Sequence, residues 1–196
     1  AIRAQLSELT SASNDGSSPE VRAAVLQVLK QAVAEGRARA RELLEREGRG
    51  TRCAQRLSRL IDEIIRIIYD FAVTHVYRVK NPTAGERMAI VAVGGYGRDT
   101  LAPGSDIALL FVLPYKQTAW GEQVVEYVLY MLWDMGFKVG HATRTVAESI
   151  RQAKADMTVR TSVLEARYIW GARELFDELV ARFSREEVAG TAPEFI

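Results

Sequence analysis

A glycine-rich turn followed by an aspartate is the part of this sequence best suited to chemistry. Gly94, Gly95 and Gly97 follow an apolar run, and Ser105 and Asp106 open the next apolar run about ten residues later. Glycine permits positive φ angles and lets a ligand approach backbone amides, so such a turn can bind phosphate with few charged side chains. Mg²⁺ is commonly held by one or two carboxylates together with substrate phosphates. The spacing therefore indicates a phosphate and metal site, although the glycines taken alone favour a simple tight turn.

Two common phosphate-binding motifs do not fit this turn. The dinucleotide fingerprint requires a third glycine where Asp99 or Thr100 stands, and the P-loop requires a Gly-Lys-Ser/Thr sequence that the chain lacks. On the strand that follows, side chains alternate between the two faces of the sheet. Asp106 and Ala108 therefore share one face, and we expect Ile107 and its alternate neighbours to point into the core.

The residues from about Ala89 to Gly171 resemble the nucleotidyltransferases of the DNA polymerase β superfamily. That family shows a strand, Gly-Gly, about ten residues and then Ser-Asp-x-Asp at the start of a second strand. Three segments, GGYGR…LAPGSDI-LL, LWDMGFKVGHATRT and DMTVRTSVLEARYIWG, occur here in that order. They are similar to the N-terminal catalytic domain of the bacterial uridylyltransferase/uridylyl-removing enzymes, which modify the PII nitrogen-signalling protein.

The resemblance implies transfer of UMP from UTP to a tyrosine of a PII-type protein, with Mg²⁺ as cofactor. It implies that Gly94 and Gly95, helped by Ser105, hold the β- and γ-phosphates, and that Asp106 is a metal ligand. Arg98 lies where it could pair with phosphate, and an exposed loop arginine is equally often a solvated charge. The base specificity cannot be tied to any particular residue of the sequence.

Ala108 is the main departure from the family pattern. The family has a second aspartate at this position, whose loss removes a metal ligand from the catalytic centre. Gradual sequence drift would more often leave Glu or Asn, so an alanine in an otherwise intact motif favours deliberate inactivation of the domain. A naturally degenerate pseudoenzyme is the alternative.

The third carboxylate of the superfamily's site should come from the strand FKVGHATRTV, which contains no acid. The sequence does not decide among three acids that lie near this strand. They are Asp134, Glu148 and Asp156. Lys138 and Arg144 could bind phosphates from one face of the strand. His141 shares the other face with apolar residues, so a core histidine is favoured over a catalytic one.

Apolar periodicity predicts an α+β fold. We expect a polymerase β-like core, that is, a small mixed sheet with helices, preceded by a helical hairpin and followed by helices. The predicted division is a loose segment 1–18, a helical extension 19–82, the nucleotidyltransferase core 83–155, and C-terminal helices 156–196 of the same domain. Ser18 and Pro19 should start the first long helix, and the segments VLEARYIWG and ARELFDELVARF are predicted helices. His75 and Cys53, both in the second helix, are interpreted as structural.

Composition restricts the possible partners and compartment. The net charge of +1 provides no electrostatic footprint for nucleic acid or a membrane surface, and arginines 37, 39, 41 and 46 are interpreted as a solvated face. A single cysteine excludes an internal disulfide framework, and no signal peptide or spanning apolar run is present. We therefore expect a cytoplasmic protein.

Three functions remain open from the sequence. The first is a nucleotidyltransferase domain that lacks one metal ligand, the second is a nucleotide-binding sensor or pseudoenzyme, and the third is a purely structural helical module. The family enzymes carry a metal-dependent HD hydrolase domain and sensing domains beyond this one. The chain has no His-Asp dipeptide, so we expect a truncated domain that cannot remove uridylyl groups or sense glutamine.

Overall fold

The computed structural model describes residues 2–11 and 15–188, which form helices and one four-stranded sheet. The elements in chain order are α1 Ile2–Ser11, α2 Pro19–Glu47, α3 Gly50–Phe71, β1 Ala89–Ala92, α4 Gly94–Gly97, β2 Ile107–Leu113, α5 Ala119–Asp134, β3 Val139–Thr145, α6 Val146–Ala155, α7 Met157–Leu164, β4 Arg167–Gly171 and α8 Arg173–Phe183. Short π-helical turns, Ala72–Val76 and Ser184–Val188, follow α3 and α8. The α+β fold class is confirmed.

The chain divides into two compact units. The first comprises Ala1–Lys80, Asp99–Ile107 and Gln123–Val139, and the second comprises Asn81–Arg98, Ala108–Glu122 and Gly140–Ile196. The four-part division at residues 18, 82 and 155 stays a prediction.

Helices α2 and α3 form the predicted helical hairpin of the first unit. The hydroxyl of Ser18 accepts a hydrogen bond from the Val21 amide and Pro19 occupies the first turn of α2, as expected. Gly48 ends α2 in the left-handed conformation at φ 65°, and its amide donates to the Leu44 carbonyl at 2.8 Å. The apolar faces of the two helices supply much of this unit's core. Its fully buried members include Val25, Leu29, Ile61, Ile64, Ile65 and Ile68.

The sheet has the strand order β3-β2-β1-β4. Strand β1 pairs antiparallel with β2, with Ala92 opposite Leu109, and antiparallel with β4, with Ala89 opposite Gly171. The sheet is mixed, and a helix connects β2 to β3, as neighbouring parallel strands require.

The core of the second unit lies on one face of the sheet, where helices α6, α7 and α8 cover β1 and β2. It consists of Ala89, Val91, Leu110, Val112, Val146, Ile150, Ala153, Val163, Leu175, Leu179 and Phe183. Position 108 has the same parity as Leu110 and Val112, so Ala108 lies at the start of this covered face. Every residue of β2 is buried except Ala108, which is half-buried. Side chains alternate between the two faces of the strand, and neither face is exposed.

Two segments differ from the sequence prediction. Residues Ile2–Ser11 form helix α1 with Leu6 buried, where a loose segment was expected. Residues Arg167–Gly171 form strand β4, where VLEARYIWG was expected to be helical. Tyr168 and Trp170 suit either structure, and pairing with β1 decides for the strand. Residues 12–14 of the expected loose segment and 189–196 of the expected C-terminal helices lie outside the described residues.

Within the described part of the chain, no helix is both long enough and apolar enough to span a membrane.

Gly171 makes β4 sensitive to a single methyl group. Its φ is 90°, and a Cβ atom built there would lie 2.2 Å from the Met88 carbonyl oxygen. We predict that Gly171→Ala lowers the free energy of unfolding by about 1–3 kcal/mol through backbone strain, and that the steric clash lowers it further. Gly140→Ala on β3, where no atom lies within 4 Å of the added Cβ, is the matched control. Urea unfolding measures both variants, and equal stability of the two would contradict the steric role of Gly171.

Candidate functional site

The glycine turn directly follows β1 as the four-residue helix α4. Gly94 adopts φ 59°, and no atom lies within 4 Å of a Cβ atom built on it. Gly95 is exposed, and its Cβ would meet only the Nη2 atom of Arg98, at 3.5 Å. The side of these two glycines that would carry a Cβ atom therefore faces open space, which a ligand could occupy.

Gly97 closes the turn against the segment that leads into β4. A Cβ atom built on Gly97 would lie 2.0 Å from the Glu165 carbonyl oxygen and 3.1 Å from that of Ala92. The preceding residue, Tyr96, is buried, and Arg167 donates to its carbonyl at 3.2 Å and stacks over its ring at 5.3 Å. The turn is thus held by backbone proximity and by one arginine of β4.

Ala108 lies beside this turn on the adjacent strand, since the Val93 amide donates to the Ala108 carbonyl at 3.1 Å. A cleft of about 210 Å³ opens next to Ala108. Strand β3 and helix α7 contribute its polar wall, and β2 contributes apolar residues. The polar and charged lining residues are His141, Arg144, Thr158 and Ser162. The second unit thus places position 108, a cationic side chain and Val93, the residue that precedes the turn, around one concave surface.

The loop that carries Ser105 and Asp106 belongs to the first unit, where it is fastened to α3. The buried Ser58 hydroxyl donates to the Asp99 carboxylate at 3.0 Å, and the Leu101 amide donates to the Ala54 carbonyl at 3.1 Å. Asp99 has a positive φ of 56°, an uncommon conformation for a residue with a side chain. Ser105 and Asp106, at the end of this loop, are both exposed.

Arg98 is paired with the carboxylate of Glu165, which no sequence motif indicates. Its Nη1 atom donates to Glu165, and 61% of the Arg98 side chain is exposed against 25% for Glu165. Glu165 is distant in sequence, so neither spacing nor motif could indicate the pair. An exposed ion pair contributes roughly 0–1 kcal/mol to stability, so a phosphate group could compete for Arg98 at little cost.

The three acids considered as a third carboxylate each have another role. Asp134 forms an ion pair with Arg22 at 2.8 Å. Glu148 completes a capping box with Thr145 at the start of α6. Asp156 is the N-cap of α7 and accepts from the Thr158 amide at 2.7 Å. Local helix capping thus explains Glu148 and Asp156, and a long-range ion pair explains Asp134.

His141 corrects one expectation, because it is exposed and lines the cleft where a core position was expected. Lys138, which the sequence placed together with Arg144, lies in the first unit, whereas Arg144 lies in the second. Cys53 is buried as expected, and its thiol donates to the Ala40 carbonyl at 3.7 Å. The ring of His75 packs against Phe71 at 5.0 Å, and burial lowers its pKa below the usual range, assisted by the charge of Arg78.

The residues present do not by themselves fit a metal ion. Among the described residues, no group of three His, Cys, Asp or Glu side chains could hold one. Ala108 supplies no oxygen, which leaves Asp106 as the carboxylate that the motif retains. The assignment of Asp106 as a metal ligand stays a prediction.

Comparison with known proteins agrees with the motif resemblance. No family model matches the chain. It is 59% identical over 185 residues to a bifunctional uridylyltransferase/uridylyl-removing enzyme of Bradyrhizobium sp. strain BTAi1, a match covering 94% of the chain and 20% of the relative. The enzyme of the same name from Bradyrhizobium diazoefficiens is 57% identical over 183 residues, again with 20% of its length covered. The chain thus spans about one fifth of the length of these curated relatives.

Ser58 provides a test of how the Asp106 loop is fastened. We predict that Ser58→Ala lowers stability by about 1–3 kcal/mol, because the hydrogen bond from the buried Ser58 hydroxyl to Asp99 is lost. It should also accelerate hydrogen exchange of the Leu101 amide. Ser149→Ala is the matched control, since Ser149 is equally buried and donates to the Thr145 carbonyl of the second unit. Equal acceleration at Leu101 in both variants would show that the Ser58 contact has no local role.

Proposed function

We propose that this chain, a homologue of a segment of the bifunctional uridylyltransferase/uridylyl-removing enzymes, is a nucleotidyl-transfer domain. Its substrates would be UTP and a tyrosine of a PII-type signal protein, and its compartment the cytoplasm. The observation that carries the proposal is the pairing of the open glycine turn with position 108, since Val93 and Ala108 share a backbone hydrogen bond. The identity of 57–59% with enzymes named for uridylyl transfer supports the substrate class.

In this proposal the glycine turn binds the triphosphate, and the amides of Gly94 and Gly95 would hold phosphate oxygens, since the Cβ side of both residues is open. Ser105 and Asp106 are assigned to the same nucleotide by the family resemblance alone. Arg98 would exchange its partner Glu165 for a phosphate, and Arg144 in the cleft would add a second positive charge. These contacts orient the α-phosphate for attack by the acceptor tyrosine and bind the leaving pyrophosphate.

Mg²⁺, when bound together with the nucleotide, would supply charge neutralisation of the phosphates. Asp106 would contribute one carboxylate. In the family pattern a second carboxylate comes from position 108. Because alanine stands there, we propose that the chain binds nucleotide but transfers UMP poorly.

A nucleotide sensor or pseudoenzyme is the second candidate function, and Ala108 is the observation that favours it. Both candidates require the glycine turn to bind nucleotide. They differ in whether an aspartate at position 108 restores transfer. Net charge of +1 favours neither a nucleic acid nor a membrane as partner.

Gly95→Val tests nucleotide binding at the turn. The Cβ atom meets only the flexible end of Arg98, so the fold should survive, while the branched side chain covers the backbone that would approach the phosphates. We predict at least about tenfold weaker binding of UTP with Mg²⁺, which corresponds to about 1.4 kcal/mol. Isothermal calorimetry measures it. Gly50→Val, at another position with open space around the Cβ, is the control, and unchanged affinity of the Gly95 variant would reject the triphosphate site.

Ala108→Asp tests the catalytic assignment. A carboxylate restored at position 108 should stabilise the transition state by about 4 kcal/mol, which raises the transfer rate roughly a thousandfold. The measurement is transfer of labelled UMP to a PII-type acceptor, with circular dichroism to confirm equal folding. Ala102→Asp, which adds the same charge at an exposed loop position, is the matched control.

Each result of the Ala108→Asp experiment separates two functions. Recovery of transfer supports the nucleotidyltransferase. Equal rates of the present chain and the variant would show that position 108 has no catalytic role. If neither form transfers UMP while both bind UTP, pyrophosphate release in the absence of acceptor distinguishes a missing acceptor surface from a nucleotide sensor.

A further inference from the structure

A cavity lies within the first unit, and most of its lining residues have no part in the proposed nucleotide chemistry. Its volume is about 470 Å³, within the range of roughly 300–1,000 Å³ typical of small-molecule sites. Helices α2 and α3 form two walls, and residues 101–105 and residues 136–138, directly before β3, form the others. The apolar walls include Leu44, Leu57, Ile61, Leu101 and Phe137.

The charged residues that line this cavity are all cationic. They are Arg37, Arg41 and Lys138, each exposed. The Arg37 guanidinium lies over the ring of Phe137, 5.1 Å from its centroid, which fixes one cation directly above the apolar wall. An apolar interior with cations at its rim is complementary to a molecule that has an apolar body and an anionic end.

We propose that this cavity binds a small amphipathic carboxylate, with its chain among the apolar walls and its anionic group beside Arg41 and Lys138. The cavity shares one residue, Ser105, with the proposed nucleotide site, and its other lining residues have no part in the proposed nucleotidyl transfer. Ala102, Pro103, Gly104 and Ser105 also line the cavity. The bound molecule therefore contacts the loop that leads to Asp106.

Cys53 makes occupancy measurable. It is the single cysteine of the chain, it is buried, and it lines the cavity. The neutral reagent N-ethylmaleimide modifies the thiol at a rate that mass spectrometry follows. Decanoate should slow this modification in a saturable manner, whereas decyltrimethylammonium, with the same apolar length and opposite charge, should not. Octanoate should require higher concentrations, by up to about fourfold for each buried methylene lost.

Two pairs of variants locate the bound carboxylate. Arg41→Gln should weaken decanoate protection roughly two- to fivefold, as expected for a partly exposed ion pair. Arg39→Gln, on the same helix but outside the cavity lining, should leave the protection unchanged. Leu44→Trp should fill the cavity and abolish protection, and Leu43→Trp on the same helix is its control. If Leu44→Trp fails to fold, the arginine pair alone decides.

Equal protection by the cation of the same length would overturn the proposal, as would equal effects of the two arginine variants. UTP with Mg²⁺ should leave the Cys53 rate unchanged. Protection of Cys53 by UTP would mean that the cavity belongs to the nucleotide site, and the proposal would be wrong. Failure of UTP to bind anywhere would count against the proposed nucleotidyl transfer and leave the decanoate result to be judged separately.

Discussion

A side chain at position 97 has no room, and the geometry of the candidate site depends on this restriction. Because Gly97 lacks a Cβ atom, its backbone can lie against the Glu165 carbonyl. This contact brings the end of α7 to the turn, places the Glu165 carboxylate within reach of Arg98, and leads the chain into β4. Strand β4 then pairs with β1, from which the turn begins. The turn is therefore held between β1 and the segment that leads into β4, and its first two glycines, Gly94 and Gly95, have open space on the Cβ side.

The acids of the second unit show how the fold uses charge around this turn. Glu148 and Asp156 stabilise the first turns of α6 and α7, where a carboxylate satisfies backbone amides and interacts favourably with the helix dipole. Both helices help to cover the sheet. Glu165 alone of these three is paired with the glycine turn through Arg98. Local helix capping thus accounts for the two acids that looked available in the sequence, so neither compensates for the missing carboxylate at position 108.

The sequence predicted those parts of the fold that depend on local patterns. The cap at Ser18, the apolar faces of α2 and α3, and the continuous apolar runs of β1 and β2 are properties of neighbouring residues. Strand β4 was missed because Tyr168, Ile169 and Trp170 suit a helix as well as a strand, and only pairing with β1 distinguishes them. The surroundings of single residues likewise depend on the folded chain. His141 follows the strand alternation yet faces a cleft, and Glu165 meets Arg98 only after the chain has folded.

Ala108 separates the shape of the site from its chemistry. Every residue of β2 except Ala108 is buried, and Ala108 contributes to the sheet through its carbonyl, which any residue would supply. An aspartate at 108 would share a strand face with Asp106, and two carboxylates on one face repel each other unless a cation lies between them. Alanine removes that repulsion at no cost in apolar packing, so the ligand-free chain should fold at least as readily without the second acid. Functional sites commonly retain such unfavourable charges because the reaction requires them. A deliberate substitution and natural degeneration would therefore produce the same fold, and they differ only in what the chain does once the second carboxylate is restored.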